Sequence, residues 1–177
     1  MRRIFTLIVA LLLAAPANAT IMVPAPVADN VPGAQTVGHG TGTYMMMDVY
    51  DAVLYAPDGR WMPGKPLALS LTYRMDLKGK AIADRSISEI RAQGFTDQLR
   101  LDDWRKQMTT IFPDVKKGTN LTGVRTTTGE TEFFENGAFI GRVADKDFGD
   151  KFFDIWLGQN TTDTNLRKQL VSTGGTP

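Results

Sequence analysis

Hydrophobic and polar positions alternate most cleanly between Leu67 and Arg74. Leu67, Leu69, Leu71 and Tyr73 fall on one side, and Ala68, Ser70, Thr72 and Arg74 on the other. A period of two over that length predicts a half-buried strand. Residues 37–56 predict one or two strands, with glycines at 38, 40 and 42 permitting a bend or bulge, and Pro57-Asp58-Gly59 supplies a stop. Three further strands are predicted over 120–127, 131–136 and 138–144. Their joints at Gly129-Glu130 and Asn136-Gly137 carry hairpin chemistry, strongest in the Asn-Gly pair.

The period lengthens to helical elsewhere. A stripe at Ile82, Ala83, Ile87 and Ile90 predicts a helix from Gly79 that closes at Gly94. A second runs from about Leu101 to Phe112, with Asp102 or Asp103 as its cap, Trp104, Met108 and Ile111 on one face, and Pro113 forbidding continuation. Two more close the chain: 145–157, with Phe148, Phe152, Ile155 and Trp156 on one stripe, and 163–171. Residues 20–36 hold three prolines and no period, which predicts an extended lead-in, and 172–177 predict a disordered tail. Runs of strands and runs of helices, rather than alternating β-α units, make an α+β domain over 37–171.

The N-terminus changes the picture of what is folded. Arg2 and Arg3, an apolar stretch from Ile4 to Ala15 and the small-x-small triplet Ala17-Asn18-Ala19 predict a signal peptide over 1–19, cleaved before Thr20 and followed by export. The apolar run is too short for a span of about 20 residues, so no integral membrane segment is expected after cleavage. Cleavage leaves 158 of 177 residues, which suits one domain, and turns 20 basic against 19 acidic residues into 18 against 19. That balance offers no footprint for nucleic acid. With no cysteine and a single histidine, His39, the chain predicts no disulfide, no metal site and no cofactor. The glycines of Gly38-His-Gly-Thr-Gly42 lack the Lys-Ser/Thr and the following helix of a phosphate loop.

The candidate chemistry concentrates in Tyr44 to Gly59, which reads as one long, largely buried strand containing two acids, Asp48 and Asp51. On a regular strand their odd separation sends them to opposite faces, so one acid is expected to face the helices and to need a cation, Arg74 or Arg85. Two readings stand side by side. The acid and arginine form a salt bridge that fixes strand register, or the arginine receives a ligand carboxylate or enolate beside the Tyr50 hydroxyl. Methionines 45–47 and a cleft lined by Met46, Tyr50, Trp104, Phe133 and Phe139 suit an apolar or aromatic ligand, and equally suit core filling.

Four blocks resemble the bacterial chalcone isomerase-like proteins, secreted relatives of the plant chalcone isomerase fold. They are 44–59 with Trp61, Leu67–Arg74, Phe112-Pro-Asp-Val-Lys-Lys-Gly118 and Phe152-Phe-Asp-Ile-Trp-Leu-Gly158. The resemblance implies a curved antiparallel sheet with helices packed on one face, an open-faced β-sandwich with its ligand cleft between the layers. It also implies a periplasmic location. The plant enzymes use an Arg and a Thr on the first long strand and a Tyr and an Asn on the first helix. Here residues 36–56 hold no Arg, Tyr50 stands at the Thr position, and Lys78 and Arg85 stand at the helix positions. The catalytic set is absent residue by residue.

Non-catalytic members of the family include plastid proteins that bind fatty acids through an Arg and a Tyr. The expectation is therefore an exported module that binds a small amphipathic acid. Its candidate ligand-binding residues are Arg74, Arg85, Tyr50, Tyr73, Asp48, Met46 and Trp104. The alternatives are an isomerase or lyase acting on an enone, with Tyr50 as acid and an arginine as oxyanion stabiliser, and an interaction module whose cleft is filled by its own side chains.

Overall fold

The computed structural model describes residues 22–171; the expected signal over 1–19 and the tail over 172–177 lie outside the described residues. Six strands run β1 Ala34–Tyr44, β2 Met47–Pro57, β3 Leu67–Tyr73, β4 Asn120–Arg125, β5 Thr131–Glu135 and β6 Ala138–Val143. They lie side by side in chain order, each antiparallel to the next. The alternation of β3 decides its two faces. Leu67, Leu69, Leu71 and Tyr73 enter the main core, while Ala68 enters a smaller one behind the sheet.

Four helices cover the main face: α2 Gly79–Ala92, α3 Gln98–Ile111, α4 Lys146–Leu157 and α5 Thr164–Val171. Each buries the stripe its period predicts. Trp104 and Phe148 are fully buried between α3, α4 and the sheet, and side chains of this size contribute roughly 1.5–3 kcal/mol each on burial. Asp145 caps α4 by accepting from the Asp147 amide at 3.1 Å. Its carboxylate also takes the Trp104 indole N–H at 2.9 Å and the Arg100 guanidinium at 2.7 Å, which ties α3 to the start of α4. The cap of α3 is Asp97, accepting from the Arg100 amide at 3.2 Å, rather than Asp102 or Asp103. The helix accordingly starts earlier than its apolar stripe suggests.

Three features depart from the sequence pattern. The lead-in is not extended throughout. A short helix, α1 Ala25–Asn30, follows Pro24 and places Val27 in the smaller core with Val31, Tyr55, Val124 and Phe134. Proline in the first helical turn removes only a donor that would be unpaired, so this proline-rich stretch can still turn. Second, 44–59 is not one strand. Met45 and Met46, with φ of 49° and 63°, form a two-residue turn between β1 and β2.

Third, β2 carries an extra residue. Thr43 pairs with Asp48 and Gly42 with Tyr50, so Val49 is a bulge that resets the alternation. Asp48 therefore joins Asp51 on the side away from the main helix layer, where Arg74 meets Asp48 at 3.1 Å and Asp51 at 2.8 Å in solvent. No acid of β2 faces the helices.

Two glycines of β1 have a packing role. A Cβ on Gly38 would strike the carbonyls of Gln169 and Leu170, and one on Gly40 would strike Leu166 and the Gln169 side chain. Their bare backbone lets α5 lie directly on β1, the edge strand.

Candidate functional site

Between the sheet and α2 and α4 lies a cavity of about 470 Å³. Leu69, Leu71, Leu121 and Phe133 form its floor, and Ile82, Phe152 and Ile155 its roof. Thr43, Tyr44 and Met47, from the β1–β2 hairpin, form one lip. Its size and apolar walls match those of small-molecule sites.

Polar groups gather at one end. Trp156 donates its indole N–H to the Tyr50 hydroxyl at 2.9 Å, and the Tyr50 ring lies against Gly42, where a Cβ would collide with it. Tyr73 meets Tyr50 edge to face, with centroids 6.0 Å apart. Burial pushes both phenols above their ordinary value of 10, and the Trp156 hydrogen bond offsets part of that effect at Tyr50. Both therefore remain protonated, as hydrogen-bond donors rather than bases.

Arg85, on α2, reaches the same end. Its guanidinium lies 4.4 Å from the centroid of the Tyr44 ring and pairs with Glu89, one turn further along α2. Glu89 is buried, and its other oxygen accepts from the Thr162 hydroxyl at 2.8 Å. Arg85 thus has one face packed and one nitrogen engaged by Glu89, and the rest of its donor fork stays open to a planar anion.

Of the residues singled out from sequence, Tyr50, Tyr73, Arg85 and Phe133 line the cavity. Four others lie elsewhere. Arg74 and Asp48 form the solvent-facing ion pair behind the sheet. Met46 is fully exposed at the hairpin turn, and Trp104 is sealed in the core against Asp145 and Phe95. Phe139 also stands outside, half exposed against Phe134. Lys78 is spent on Asp114 at 2.6 Å in solvent.

Sequence reasoning missed Glu89, Trp156, Thr162 and Asp163 as cavity residues. Glu89 had a signal, because it sits beside Ser86 and Ile90 on the buried face of α2. Among the described residues no group of three or more acids and histidines could hold a metal ion.

A family profile described as chalcone isomerase-like matches residues 32–172. The chain belongs to the chalcone isomerase-like family. Its sheet order and helix layer are those of that fold. An uncharacterised protein of Haemophilus influenzae is 29% identical over 143 residues, covering 77% of this chain and 67% of the relative. Among solved structures, a fatty-acid binding protein of Arabidopsis thaliana superposes with a TM-score of 0.63. That match has 12% identity and covers 81% of this chain and 89% of the plant one. At that identity the likeness is one of fold.

Proposed function

We propose that this chalcone isomerase-like protein is an exported, periplasmic binding protein for a small amphipathic acid of the fatty-acid class, and not an enzyme. The observation that carries the reading is an apolar cavity of about 470 Å³ with one arginine, Arg85, at its polar end. The acyl chain lies over Leu69, Leu71 and Phe133, and the carboxylate takes the open donors of Arg85 with a phenol O–H of Tyr73 or Tyr50 beside it. Glu89 holds the guanidinium in place from behind. The Arabidopsis neighbour supports the reading through its fold and its description as a fatty-acid binding protein.

Turnover of an enone is disfavoured by the same geometry. A general acid works best with a pKa near the ambient pH, and burial moves Tyr50 and Tyr73 the other way. Of the two helix positions that match the plant catalytic pair, only Arg85 reaches the cavity.

Native mass spectrometry of protein purified without detergent tests the proposal. A bound mass in the fatty-acid range is expected, lost in Arg85→Ala and kept in Arg74→Ala. A clean apo mass that added fatty acids do not shift overturns it.

A further inference from the structure

The β1–β2 hairpin ends in an apolar tip of unusual composition. Seven consecutive residues, Thr41 to Met47, carry no charge. Tyr44, Met45, Met46 and Met47 are 49%, 72%, 101% and 52% exposed. The tip overhangs the sheet, because the last rung between β2 and β3 is Tyr50 with Tyr73 while the hairpin continues to the Tyr44–Met47 pair.

The turn is also conformationally costly. Both of its central residues adopt positive φ, a region that Asn and Gly enter easily and a long side chain does not. The chain thus holds two methionines in a strained turn and points them at solvent, which is a cost without a return for an isolated globule. Their neighbours Tyr44 and Met47 form the lip of the cavity.

From these observations we infer that the Met45–Met46 tip docks on a lipid surface and sets the cavity mouth against it. Of the two arginines near the tip, Arg74 is paired with Asp48 and Asp51, and Arg85 pairs with Glu89 and keeps its remaining donors at the cavity. Two arginines matched by three acids give this end no net positive charge among the described residues, so attachment is by shallow insertion of methionine and tyrosine into the interface, independent of headgroup charge. A ligand with an acyl chain resides in bilayers, and a mouth held at that surface shortens its route through water. The inference rests on the proposed ligand class for what passes through the mouth, but not for the docking itself.

Flotation with phosphatidylcholine vesicles tests it, using wild type and Met45→Asn/Met46→Gly with the same N-terminus, verified by intact mass. Asn-Gly is the preferred pair for this turn, so the variant removes the apolar tip while keeping or improving the hairpin. Wild type is expected to float with the vesicles at low and high salt, and the variant to lose about tenfold of that binding while melting no lower.

Equal flotation of the two proteins, or none by wild type, overturns the inference. So does binding confined to anionic vesicles and abolished by salt. A tip-dependent dimer in light scattering without flotation overturns it as well, and assigns the tip to a second copy. Docking by a protein that carries no acyl mass leaves the tip assignment standing and removes the ligand proposal; an acyl mass without docking does the reverse.

Discussion

The Trp156 indole donates to the Tyr50 hydroxyl at 2.9 Å, joining α4 to β2 across 106 residues of sequence. The bond closes the polar end of the cavity and leaves the phenol proton free to be donated to a ligand. Tyr50→Phe strands the indole N–H at a half-buried site, and an unmet donor of that kind costs about 1–3 kcal/mol. Denaturant unfolding should show that loss, while acyl binding persists through Arg85. Pairing Tyr50→Phe with Trp156→Phe should recover part of the stability, because donor and acceptor are removed together. A double mutant that is simply additive would show that the bond has no energetic weight.

The two arginines make opposite predictions. Arg85→Ala should weaken a bound fatty acid about 10- to 100-fold, the usual value of a charged hydrogen-bonded contact. Its stability should fall too, because Glu89 is then buried without its cation. Adding Glu89→Gln should restore much of the stability and none of the affinity, which calorimetry can separate. Arg74→Ala should leave affinity unchanged and cost little stability, since both of its acid partners stand in water.

Two sets of aspartates give stability opposite slopes in pH. Asp51, Asp84 and Asp114 are held below the ordinary 3.8 by hydrogen bonds to Arg74, Arg105 and Lys78 respectively. A depressed folded value means the unfolded chain binds protons more readily. Their stabilisation is therefore complete above 3.8 and lost as pH falls through the lower folded values. Burial raises Asp154, so its folded form keeps a proton longer and stability falls as pH climbs from 3.8 through its raised value. Asp154→Asn should raise the melting temperature at neutral pH and leave it unchanged in acid. Equal gains at both would point to a cause other than ionisation.

Met45→Asn/Met46→Gly should stabilise the isolated protein by about 1 kcal/mol, the scale of a relieved left-handed residue. Chemical unfolding in the absence of lipid reads this directly. A loss of stability would mean that the methionines support the hairpin.

Where one period dominates, the fold was legible in sequence. β3 alternates over its full length, and α4 spaces Phe148, Phe152, Ile155 and Trp156 onto one buried stripe. The Asn136-Gly137 turn carried its own chemistry, with both residues at positive φ. The Met45–Met46 turn did not, and nothing in two methionines announces a left-handed pair. Without that signal, 37–56 reads as one or two strands and 44–59 as a single one.

The bulge at Val49 was equally silent, and it carried Asp48 to the face opposite the one its spacing implied. Of the site, Arg85 and the two tyrosines were within reach of sequence. The Trp156–Tyr50 and Thr162–Glu89 bonds join residues 106 and 73 positions apart, and no local pattern records such pairs.

The bare backbone of Gly38 and Gly40 has a consequence for the order of assembly. The surface that receives α5 is built by the first strand of the sheet, whereas α5 is the last of the described elements in chain order. Thr162 and Asp163, which complete the polar end of the cavity, arrive just ahead of it. A nascent chain can therefore pair all six strands and still lack a finished binding site, with the face of β1 at Gly38 and Gly40 uncovered. Docking of α5 covers that face and finishes the site in one late step, so a chain shortened before residue 162 retains every strand but not the binding site.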